Sequence, residues 1–124
     1  MTRLHHVQVA CPPGGEEAVR AFYGGLLGLA EVEKPPALAA RGGAWFRGPG
    51  YELHVGVEES FVPARKAHPA FLVEDLDVLA KALRGAGHDV TWDSTFPGYR
   101  RFHLFDPHGN RVEILGPLTA PPPS

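Results

Sequence analysis

At 124 residues, 44% of them apolar, the chain is long enough to bury one ordinary core without disulfides or a structural metal. Its 12 basic and 14 acidic residues leave a net charge of −2 with neither sign clustered, which excludes nucleic acid and an anionic membrane surface and leaves a small molecule or another protein as partner. The single cysteine, Cys11, rules out an internal disulfide, no signal-like segment opens the chain, and no apolar run reaches membrane-span length, so a cytoplasmic location is expected.

Residues 4–11, LHHVQVAC, read as a strand that the Pro12-Pro13-Gly14-Gly15 stretch breaks before a helix. Glu16 and Glu17 suit the positive end of that helix. Ala18, Val19, Phe22, Tyr23, Leu26 and Leu27 recur at helical spacing, and Gly28 ends the run. A short strand over 29–34, a turn-rich passage over 35–43, a strand over 44–48 and another over 51–58 complete the order β, α, β, β, β. The order then restarts. A strand over 68–73 leads to Asp75, which caps a helix whose Leu76, Leu79, Ala82 and Leu83 share a face. Strands over 88–92, 100–106 and 111–116 follow, separated by two segments rich in turn formers. His88 and His108 fall in turns and are assigned no role, and residues 118–124 have no pattern to pack.

One such unit leaves an apolar face that a second can cover, so the expectation is an α+β domain over 1–118 built from two βαβββ modules, about 4–60 and 66–117. Each module opens with a strand histidine and closes with a strand glutamate: His6 and Glu52 are 46 positions apart, His68 and Glu113 are 45 apart. Two histidines and one or two glutamates are the donors of a divalent metal site, with imidazole suiting Zn, Fe, Ni and Cu and carboxylate adding a preference for Mn or Mg. Glu113 sits among apolar neighbours, where an unpaired carboxylate is costly to bury and calls for a cation or a strong donor. His5 and His6 point to opposite faces of a strand, so only one of them can look into a site. The matched separations select His6. By the same alternation His54 shares a face with Glu52, and Tyr99, Arg101 and His103 share another.

The segments HHVQVA, FYGGLLGL, AHPAFLVEDLDVLAKALRGAG and RRFHLFDPHGNRVEILG resemble the glyoxalase, bleomycin-resistance and extradiol-dioxygenase superfamily, the vicinal oxygen chelate proteins, over roughly residues 4–117. The most specific element is DPHGNRVEI, a turn leading into a strand whose glutamate binds metal. The resemblance implies paired βαβββ modules curled around a cup that holds a divalent metal. His6, His68 and Glu113 match its ligands, and Glu52 matches the fourth ligand of glyoxalases. In fosfomycin-resistance relatives a tyrosine that contacts substrate takes the place of His103. His54, Tyr99, Arg101 and His103 are accordingly expected to bind substrate, with Arg101 suited to a carboxylate or phosphonate.

The expected function is that of a metal-dependent lyase or isomerase of the glyoxalase type. The metal (Zn, Mn, Ni, Co or Fe) would hold two neighbouring oxygens of a small substrate while Glu113 or Glu52 moves a proton. Two alternatives share the resemblance: a fosfomycin-type thiol transferase, and a metal-free binding protein that sequesters a drug in the cleft between modules. A homodimer is expected as the commonest symmetric assembly. In an exchanged form His6 of one chain would join His68 and Glu113 of another.

Overall fold

The computed structural model describes residues 1–118; the segment expected to be loose, 118–124, lies outside the described residues from 119 onward. Eight strands form two four-stranded mixed sheets in an α+β fold. The first half contains β1 (His6–Cys11), α1 (Glu16–Val19), β2 (Ala30–Val32), α2 (Pro36–Ala39), β3 (Ala44–Gly48) and β4 (Tyr51–Val57). The second contains β5 (Ala70–Leu72), α3 (Leu76–Gly85), β6 (Thr91–Asp93), β7 (Tyr99–Phe105) and β8 (Arg111–Pro117). The sheet orders are β1-β4-β3-β2 and β5-β8-β7-β6, so the parallel partner of each opening strand is the closing strand of its own half. Glu52 and Glu113 therefore lie on inner strands, β4 and β8.

Several expected boundaries move. The strand expected over 4–11 pairs only from His6, and that over 68–73 only from Ala70, which leaves His68 on the linker just ahead of β5. The strand placed at 88–92 is 91–93, because the α3 terminus folds back on itself: the His88 and Gly87 amides bond to the carbonyls of Leu83 and Arg84. The passage over 35–43 includes a helical turn, with Pro36 at its first position, where a missing N–H costs nothing. The first long helix is α-helical only over Glu16–Val19. It widens to a π-helix over Arg20–Leu26, and the Leu27 N–H donates to the Phe22 carbonyl at 2.9 Å. Phe22 and Tyr23 of the widened turn are both fully buried, with their rings edge to face at 4.8 Å.

Period-two alternation divides each inner strand. Leu53 and Val55 of β4, and Val112 and Ile114 of β8, join Phe22, Tyr23 and Leu83 in one core shared by both sheets, the first long helix and α3. Glu52, His54 and Glu113 point the other way. The DPHGN turn locks the halves together. One oxygen of buried Asp106 accepts the His108 and Asn110 amides, and the other accepts the Tyr23 hydroxyl at 2.8 Å and the Asn110 side-chain amide at 3.0 Å. That side-chain amide also donates to the Ala10 carbonyl of β1, while its oxygen accepts the Ala64 N–H of the linker. Burial first, and then Asp106, raises the Tyr23 hydroxyl well above its ordinary pKa. His108, assigned no role from sequence, belongs to this lock. Its Nε2 donates to the Gly15 carbonyl at 2.9 Å, and a Cβ at Gly15 would lie 2.7 Å from that nitrogen.

Candidate metal and substrate site

Three side chains converge in the second half. The β5–β8 ladder sets Ala70 opposite Glu113, and His68, two residues earlier, reaches Glu113 diagonally with Nε2 2.9 Å from Oε1. On the other side β7 pairs His103 directly with Glu113, and its Nε2 lies 3.4 Å from the same Oε1. Among the described residues this is the one group of three or more metal-capable side chains whose donor atoms all lie within 4.8 Å of one another.

The His68 ring has a definite orientation. Its Nδ1 sits 2.9 Å from the Lys66 carbonyl, which can only accept, so Nδ1 carries the proton. Nε2 then faces Oε1 of Glu113, a placement satisfied by a proton or a cation held between them. A histidine whose second nitrogen is tied to a backbone carbonyl is the form that ligates metals. Burial would raise the Glu113 pKa, but the hydrogen bonds from His68 and Arg101 outweigh it, and the net shift is downward. Burial, followed by the charge of Arg111, lowers His103 by more than Glu113 raises it, so its imidazole is neutral at neutral pH. An anionic oxygen beside two imidazole nitrogens fits a divalent first-row metal.

Arg101 is committed to protein. Nη2 donates to Asp93 at 2.8 Å, Nη1 donates to Oε2 of Glu113 at 3.3 Å, and the guanidinium lies over the Phe96 ring at 5.1 Å. Asp93 accepts both the amide and the hydroxyl of Thr95, and these bonds, with Arg101, hold its pKa at about 2. Nothing in the sequence pattern marked Asp93 or Thr95, because both sit in a segment that reads simply as a turn. Tyr99 lies further along β7, opposite Pro117 and packed against Phe96 at 4.9 Å.

The first-half residues form their own cluster. His6 is opposite Glu52 in the β1–β4 ladder, yet its ring stacks on that of His54 at 4.1 Å, and His54 stacks on Trp45 at 3.9 Å. Glu52 places Oε1 2.9 Å from Nε2 of buried His54, and Oε2 accepts Nη2 of Arg47 at 2.9 Å. Those two bonds, His54 first, lower its pKa to about 2. His6 and Glu52 are not part of the His68, His103 and Glu113 group within this chain. The matched spacings are not matched registers, since His6 directly faces Glu52 whereas His68 lies two residues short of the position facing Glu113. Glu52 and His68 do line a common crevice of about 550 Å³, walled by Val7, Tyr51, Leu53 and Phe71.

The profile of the Glyoxalase/Bleomycin resistance protein/Dioxygenase superfamily matches residues 3–114. The chain belongs to that superfamily. A solved glyoxalase family protein from Bacillus anthracis is 44% identical to this superfamily member, with a TM-score of 0.90 over 94% of this chain and 96% of that one. Two more distant structures show the glyoxalase fold alone. The lactoylglutathione lyase of Agrobacterium tumefaciens is 17% identical, with a TM-score of 0.74 over 94% of each chain. A genomically encoded fosfomycin resistance protein from Listeria monocytogenes is 14% identical, with a TM-score of 0.75 over 94% of this chain and 93% of that one. No curated protein matches this glyoxalase-superfamily chain, and among its described residues no helix is long and apolar enough to cross a membrane.

Proposed function

We propose that the protein is a divalent-metal-dependent enzyme of the glyoxalase or lyase type acting on a small molecule with two adjacent oxygens. The observation that carries this reading is the His68 geometry: Nδ1 is tied to the Lys66 carbonyl while Nε2 meets Oε1 of Glu113 at 2.9 Å, with His103 converging on the same oxygen. His68 and Glu113 hold the metal (Zn, Mn, Ni, Co or Fe), and His6 and Glu52 join them from the first half of a second copy in a homodimer. When bound, the metal polarises a substrate carbonyl and stabilises the negative charge that develops on it.

The chain's own groups do the rest. His103, with a neutral ring, offers either a donor or an acceptor to a substrate oxygen. His54 orients Glu52, which takes the substrate proton once its bond to the exposed Arg47 opens. Tyr99, on the same face of β7 as His103, is the further substrate contact on that strand. Titration of Co(II), Zn(II) and Mn(II) into metal-free protein tests the assignment. The wild type binds, and Glu113→Ala loses affinity by about 100-fold or more, beyond what removal of a supporting residue causes. A Glu113→Ala protein with wild-type affinity refutes the site. A wild type with no affinity for any of the three supports the other reading, sequestration of a small molecule in the apolar crevice.

A further inference from the structure

Arg101 looks from sequence like a clamp for an anionic substrate, but its environment is that of a group facing protein. Its side chain is 19% exposed, Nε is buried without an acceptor, Nη2 is taken by Asp93, and Nη1 by Oε2 of Glu113. One guanidinium thus lies between two carboxylates, which leaves little positive field for an anion from solution. Its role must be sought in what it does to Glu113.

We infer that Arg101 is a positioning residue that makes Glu113 a one-oxygen donor, holding Oε2 away so that only Oε1 is presented to a cation. The inference rests on the metal reading of the same site. A free carboxylate can bind a metal through one oxygen or both. Here Oε2 is bonded to Arg101, whereas Oε1 is the atom that faces both His68 and His103. Arg101 is itself braced: Asp93 receives its Nη2 at 2.8 Å and is fixed by the Thr95 amide at 2.8 Å and hydroxyl at 2.7 Å. The first half repeats the arrangement on Glu52, with Arg47 on Oε2 and imidazole on Oε1, although Arg47 is 62% exposed and unbraced. A glutamate limited to one oxygen keeps the protein donors few and leaves open positions for the two oxygens of a chelating substrate.

Co(II) is the probe, because its visible absorption reports coordination number and geometry independently of turnover. The full chain is loaded with Co(II) as wild type, Arg101→Met, Asp93→Asn and, as a control on the outward-facing neighbour paired with Asp77, Arg100→Met. Arg101→Met is expected to keep its Co(II) while its bands move to shorter wavelength and weaken by about twofold or more, as the freed second oxygen raises the coordination number. Asp93→Asn shifts them in the same direction by less, and Arg100→Met leaves them unchanged. A loss of packing alone would move the unfolding midpoint and not the bands. If Arg101→Met fails to fold, Asp93→Asn decides: shifted bands support the inference and unshifted bands overturn it. Wild-type bands in Arg101→Met at full Co(II) occupancy overturn this inference and leave the metal reading standing, whereas a wild type that takes up no Co(II) overturns both.

Discussion

A histidine offers a metal one nitrogen, and which one is decided by what the other is bonded to. For His68 the Lys66 carbonyl makes that choice, while His6, unlike His5 beside it, faces Glu52 across the β1–β4 ladder with its ring stacked on His54. Replacing His6 with alanine is therefore expected to weaken metal binding by about tenfold or more, whereas His5→Ala leaves it within about twofold; calorimetric titration of both variants checks this. Glu16 gives a prediction independent of the site. Its carboxylate accepts the Gly43 N–H at 3.1 Å, and this bond, the largest influence on it, lowers its pKa. The folded chain thus holds that proton less tightly than the unfolded one. The stabilisation is complete above the ordinary carboxylate range and is lost as pH falls through the folded value. Urea midpoints of Glu16→Gln measured from pH 7 to pH 3 should decline less than those of the wild type. A parallel decline contradicts the assignment. Strand alternation made the orientation of Glu52, His54, Arg101 and His103 legible in the sequence. The Asp93 brace was not legible, because a segment that reads as a turn carries no periodicity from which its pairing with Arg101 across the β6–β7 ladder could be inferred.

The order of strands and helices follows from hydrophobic period and turn residues: the second half has the order the sequence implies, and the first adds to it only the helical turn α2. Pairing register does not follow, since it depends on where two distant strands come to rest. That is why spacings of 46 and 45 concealed a two-residue difference between the His6–Glu52 and His68–Glu113 relationships. The π-helical widening was equally hidden, because its apolar residues fit ordinary helical spacing. Two elements yield stability predictions. The Asp75 carboxylate accepts the Val78 N–H at the start of α3, so Asp75→Ala should cost about 1 kcal/mol by urea denaturation. Asn110 holds Asp106, the Ala10 carbonyl and the Ala64 amide at once, and Asn110→Ala should cost about 2–4 kcal/mol because it leaves buried polar groups unpaired. A loss below about 1 kcal/mol would show that the DPHGN turn does not lock the halves.

The whole molecule has one core behind both sheets and carries its two histidine–glutamate clusters apart from one another. Superfamily membership was legible from DPHGNRVEI and its companion segments, but which copy supplies which ligand was not, because one chain's sequence is silent on assembly. If the site forms between copies, a His6→Ala chain mixed with a Glu113→Ala chain should regain about a quarter of the metal sites, since each mixed dimer keeps one site with both residues intact. No recovery after subunit exchange would place the site within a single chain. The most direct test of the metal assignment is a crystal of the protein loaded with Zn(II) or Co(II), with the ion located by anomalous scattering. The account predicts a peak at bonding distance from Nε2 of His68 and Oε1 of Glu113. A peak elsewhere, or an empty position between those two atoms in fully loaded crystals, would contradict it.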